Sequence, residues 1–163
     1  MAKEVNIYRA CREEAGLSRE RASEKLEWIS PDRIDRIERG ALPHPDEVLR
    51  MSECYGKPEL CNQYCTHFCQ IGQLLVPEVQ SKDLANIVLE LLSTLNTLDR
   101  EKTRLIEITA DGVISADEYA DFAAIQKQLE RISMAVDSMK LWIRKTVAAG
   151  GMDPNALDLP SEP

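Results

Sequence analysis

The segments Leu17-Ser18-Arg19-Glu20-Arg21-Ala22-Ser23-Glu24-Lys25-Leu26 and Ile34-Asp35-Arg36-Ile37-Glu38-Arg39-Gly40 decide the fold. Ser18 offers a hydroxyl at an N-cap, and Ala22 to Leu26 carry the buried side of the helix it opens. Ser30-Pro31-Asp32 opens the next helix, because proline suits the first helical position and an acid there complements the helix dipole. Ile34 and Ile37 face inward, and Gly40 ends the helix.

Working outward, Val5, Tyr8, Cys11 and Ala15, with Arg12 as a spacer, recur at helical spacing before Gly16 stops the pattern. Pro45-Asp46-Glu47 begins a fourth helix through about Tyr55, with Gly56 as its stop, and Pro58-Glu59 begins a short fifth. Five short helices in some sixty residues leave no room for a sheet, so the expected class is all-α. After Pro77 two long amphipathic segments follow, at 81–108 and 115–148, joined by Ala110-Asp111-Gly112-Val113. Leu84, Ile87, Leu91, Leu95, Leu98, Leu105 and Ile108 form one apolar stripe. Phe122, Ile125, Leu129, Ile132, Val136, Met139 and Ile143 form the other. The two should pair as a long antiparallel hairpin whose stripes are fully covered only by a second copy of the chain. The expected divisions are a head at 1–60, a cysteine-containing connector at 61–80, the hairpin at 81–149 and a flexible tail at 150–163.

The chain of 163 residues has a formal charge of -8. Residues 1–60 hold 11 Lys and Arg against 13 Asp and Glu, and residues 61–163 hold 9 against 15. Neither half has the basic excess of a strong nucleic-acid binder. With no export signal and no membrane-length apolar run, the chain is expected to be cytoplasmic. Catalysis is not expected, since no nucleophile, base and phosphate loop come together and His44 and His67 are the two histidines.

The run from Leu17 to Gly40, above all Arg36-Ile37-Glu38-Arg39-Gly40, resembles the Xre-type, repressor and Cro-like helix-turn-helix family. The resemblance implies a five-helix repressor-like head, double-stranded DNA as partner and the third helix in the major groove. It makes Arg19 a phosphate or base contact at the start of helix two. Pro31, Asp32 and Asp35 become groove-facing, with Arg33 and Arg36 flanking that face and Arg39 near its end. Two features depart from the family: the turn Glu27-Trp28-Ile29-Ser30 is one residue long for it and lacks its glycine, and two groove-facing residues are acids. A carboxylate accepts from cytosine N4 but repels phosphates. The whole chain is also similar to small bacterial Xre-type regulators, through Tyr64, Cys65, Cys69, Gly72 and the Ile108-Thr109-Ala110-Asp111-Gly112 turn.

Cys54, Cys61, Cys65 and Cys69 follow a Cys-x6-Cys-x3-Cys-x3-Cys pattern with His67 beside it. Zinc or an iron-sulfur centre is one reading. On a continuous helix, however, Cys61 and Cys69 lie about 12 Å apart along the axis, so a shared ion needs a break near Thr66. The other reading makes Cys61, Tyr64, Cys65 and Phe68 apolar packing, with Cys11 in the core of helix one. Glu107 to Glu118 imitates an EF-hand loop but lacks its first acids, so Ser115 and Glu118 read as a capping box. Two functions remain: a sequence-specific transcription regulator acting as a homodimer through the hairpin, or a protein-interaction adaptor with an acidic helix-turn-helix surface and a cysteine metal or redox sensor.

Overall fold

The computed structural model describes residues 6–157, and among them there are helices, turns and bends but no strand. The proposed start of helix one at Val5 and the last residues of the tail lie outside this range. The chain divides into two compact units: residues through Glu78 together with Ile143 onward, and Val79–Trp142.

The first unit contains α1 (Ile7–Glu14), α2 (Arg19–Leu26), α3 (Pro31–Glu38), α4 (Pro45–Tyr55), α5 (Glu59–His67) and α6 (Gln70–Leu75). Local chemistry sets the boundaries. Asn6 accepts from the Tyr8 amide at 3.0 Å to cap α1, and its side-chain amide donates to the Ile37 carbonyl at 3.1 Å, joining α1 to α3. The Ser18 and Ser30 hydroxyls cap α2 and α3, each accepting an amide at 3.2 Å. Gly56, at φ 63°, closes α4 in the left-handed region that glycine enters without steric cost. Tyr8, Cys11, Ala22, Leu26, Ile29, Ile34, Ile37, Val48, Met51, Tyr55 and Leu60 form one core. Its contributors come from all five expected helices and from the turn before α3.

Four features of this unit correct or extend the expectations. Arg12 is not a spacer but is buried, for reasons given below. The connector is itself helical: α5 breaks at Phe68, and α6 begins at once with the Cys69 thiol accepting from the Gly72 amide at 3.4 Å. Phe68 is half exposed rather than packed. Ile143 onward, the end of the second long helix, also clusters with this unit, where Lys145 pairs with Glu59 at 3.2 Å.

The second unit contains α7 (Leu84–Thr109) and α8, whose span Tyr119–Ala148 runs on into the first unit. Its buried seam differs from the stripes read in the sequence. On α7, Ile87, Thr94 and Ile108 are buried; on α8, Ile125, Gln128, Ala135, Ser138 and Leu141. Gln128 donates to the Thr94 carbonyl at 2.7 Å, and Arg104 reaches Asp121 at 2.7 Å. Ile87, Ile108 and Ile125 of the expected stripes are buried together with small and polar residues, while Leu84, Leu95, Leu129 and Val136 from those stripes stay exposed. At the loop, Glu118 accepts from the Ser115 amide at 3.0 Å and Asp111 from the Val113 amide at 3.0 Å, so these carboxylates serve the turn.

Candidate nucleic-acid interface

The angle between α2 and α3 is set by a tight turn. Glu27 takes φ 65°, ψ -59°, and the Trp28 amide donates to the Leu26 carbonyl at 2.8 Å, which is a γ-turn. A non-glycine residue there is strained. Ile29, 1% exposed, is the anchor that makes the strain tolerable, because the turn delivers it into the core. The extra residue noted in the sequence is absorbed in this way without a glycine.

Glu38 is the hub that locks the pair of helices in place. Arg12 Nε donates to its Oε1 at 2.6 Å and Arg12 Nη2 to its Oε2 at 3.2 Å, while Arg19 Nε donates to Oε2 at 2.9 Å. The Arg12 fork also donates to the Leu17 carbonyl, so one buried cation ties α1 to Glu38 at the end of α3 and to the loop between α1 and α2. Burial alone raises the Glu38 pKa, but the hydrogen bonds from Arg12 and Arg19 outweigh it and hold the carboxyl below its ordinary range. A charge removed from water is tolerated only when paired and hydrogen-bonded in this way.

Asp35 lies between two arginines, Arg19 Nη2 at 3.1 Å and Arg39 Nε at 3.0 Å. Arg33 turns away from the outer face of α3. Its Nε and Nη2 donate to the two oxygens of Glu47, each at 2.6 Å, and Nη2 also donates to the Leu42 carbonyl at 3.1 Å. Glu47 in turn accepts the His44 amide at 2.7 Å and so caps α4. The hydrogen bond from Arg33, with help from the His44 amide, depresses the Glu47 pKa despite burial. Pro31, Asp32 and Arg36 stand exposed on α3. On α2, Arg21 and Lys25 are exposed cations that the sequence reading did not single out. Arg12, Glu38 and Glu47 were also missed as site-shaping residues. The one signal was a charged residue, Arg12, directly following a core cysteine.

The seven residues expected at the interface therefore divide into two groups. Arg19, Arg33, Asp35 and Arg39 are held in ion pairs, and Pro31, Asp32 and Arg36 face outward without a polar partner among the described residues. Cys54, Cys61, Cys65 and Cys69 are free thiols and, among the described residues, no three Cys, His, Asp or Glu side chains gather as metal ligands. The break near Thr66 that a shared ion required is present, yet the sulfur atoms serve other ends. Cys69 caps α6, and Cys54, Cys61 and Tyr64 pack against the core of the head. Burial raises the thiol pKa of Cys54 and Cys65, and that of Cys11 to about 11, which suppresses the reactive thiolate.

Residues 9–59 match the family model described as a helix-turn-helix domain. That segment, running from α1 to the start of α5, is a helix-turn-helix domain, and α2 and α3 are its paired helices. No curated protein and no solved structure shows a significant match to the chain. Among the described residues no helix is long and apolar enough to cross a membrane.

Proposed function

We propose that the chain is a sequence-specific, DNA-binding transcription regulator of Xre type, non-enzymatic and cytoplasmic, that acts as a homodimer through its second unit. The observation that carries the reading is the arrangement of α3. Its inward face is fixed by core isoleucines and by Glu38, while Pro31, Asp32 and Arg36 are held outward on a rigid helix. A helix presented in this way fits the major groove. The acids that argued against DNA in the sequence weigh less than they did, since Asp35 is balanced by Arg19 and Arg39.

The dimer rests on α7. Between Leu84 and Leu98 the one charged residue is Glu90, which is tied to Lys82 at 2.6 Å. Leu84, Val88, Leu89, Leu92 and Leu95 are exposed on this segment even though Ile87 and Thr94 are buried. A helix apolar around most of its circumference is built to be covered on more than one side. A second hairpin of the same composition supplies that cover and makes a four-helix dimer. Selection of bound sequences from random duplex DNA tests the reading. The regulator enriches an inverted repeat with half-sites one helical turn or a multiple apart. An adaptor enriches nothing.

A further inference from the structure

The side chains of α3 can be sorted by what they already hold. Ile34 and Ile37 are in the core, and Glu38 is taken by Arg12 and Arg19. Asp35 is taken by Arg19 and Arg39, and Arg33 by Glu47 and the Leu42 carbonyl. Pro31 has no polar side-chain atom. Asp32 and Arg36 remain, both exposed and neither in a hydrogen bond or ion pair among the described residues. Four positions apart, they share one face of the helix and stand about 6 Å apart along its axis.

We propose that Asp32 and Arg36 are the base-reading pair of this domain and that they select a half-site containing a cytosine and a guanine one or two steps apart. The inference rests on the DNA-binding reading above and adds the substrate to it. An ionised carboxylate only accepts hydrogen bonds, so Asp32 matches the N4 amino group of cytosine and is repelled by the O6 and N7 acceptors of guanine and the O4 of thymine. The guanidinium only donates, through a planar fork that matches guanine O6 and N7. An offset of about 6 Å along the helix covers at most about two base steps of 3.4 Å, whatever the inclination of the helix in the groove, which bounds the separation. The two charges cancel, so this pair contributes discrimination rather than general affinity for phosphates. Arg33, which the family pattern places beside the groove, is set aside because Glu47 and the Leu42 carbonyl hold its Nε and Nη2 against α4 and the loop before it, which removes the two-nitrogen fork that would grip a guanine.

The test is selection from random duplexes by the full chain and by Asp32→Ala, Arg36→Ala and Arg36→Lys, with thermal melts to show that each variant folds. The wild-type half-site should hold the guanine and cytosine at the stated spacing. Arg36→Ala should weaken binding to that site by about 10-fold to 100-fold and lose the guanine preference alone. Asp32→Ala should lose the cytosine preference and bind unrelated duplexes more tightly. Arg36→Lys should keep the salt dependence of the wild type while binding guanine less selectively. A wild-type motif without these bases, or an unchanged motif in both alanine variants, overturns the assignment and leaves the DNA-binding reading standing. No enriched DNA with any chain overturns both.

Discussion

The guanidinium of Arg33 and the carboxylate of Glu47 meet through two parallel hydrogen bonds, each 2.6 Å long, that tie α3 to the start of α4. Sequence position alone makes Arg33 a neighbour of the groove, and the structure makes it a brace. Replacing it leaves Glu47, with its side chain 6% exposed, without its cation. Arg33→Ala should therefore lower the stability of the head by about 1–3 kcal/mol. The selected DNA bases should not change. Urea unfolding gives the first quantity and duplex selection the second. A variant of unchanged stability with altered base preference would reverse the roles of Arg33 and Arg36.

Glu38 links the fold to pH. Its folded pKa lies below the ordinary value of 4.5 because Arg12 and Arg19 outweigh its burial. The stability it contributes is therefore fully present above about pH 4.5 and is lost as pH falls through the depressed folded value. Thermal melts from pH 7 down to pH 3 should show this decline, with Glu47 adding to it in the same direction. Glu38→Gln should be less stable at pH 7 and lose less on acidification. A variant with the wild-type acid slope would remove Glu38 from this role.

Gly72 allows α6 to lie on α5. A Cβ at Gly72 would run into the Cys65 carbonyl oxygen and lie 2.9 Å from its Cα, and backbone cannot yield as a flexible side chain can. Gly72→Ala should displace α6 and leave the helix-turn-helix core folded. The Cys65 thiol, whose pKa burial now raises, should then react faster with a thiol reagent at pH 8, as should Cys69 once its cap is lost. Labelling read by mass spectrometry checks this. Unchanged rates would show that the packing of α6 on α5 does not shield these thiols.

The exposed leucines of α7 predict self-association. Light scattering of the full chain at micromolar concentration should give twice the mass of 18.4 kDa. Leu92→Glu should give the monomer mass and bind the inverted repeat more weakly, because two heads no longer act together. A wild-type monomer at that concentration would rule out the four-helix dimer.

The head was legible in the sequence because its boundaries are set locally. Ser18, Ser30, Pro31, Pro45 and Gly56 each act through their own backbone or a residue within one turn. The hub at Glu38 was not legible, since Arg12, Arg19 and Glu38 are brought together only by folding. Periodicity finds α7 and α8 and, in their seam, Ile87, Ile108 and Ile125, but it also assigns Leu84, Leu95 and Leu129, which stay exposed, and passes over Thr94, Gln128 and Ser138, which are buried. A stripe shows which residues avoid water and not which of two partners covers them. The turn at Glu27 was recognised as unusual, but its γ-turn depends on the burial of Ile29, a tertiary effect.

DNA binding is measured most simply as the affinity of the full chain for the selected duplex while salt is raised from about 50 to about 200 mM, the range where counterion release acts. A DNA-binding regulator forms a measurable complex at low salt, and the logarithm of its affinity falls linearly with the logarithm of salt, with a slope of about -0.9 per phosphate contacted. A chain that binds no duplex at the lowest salt, while remaining folded and dimeric, would contradict that function.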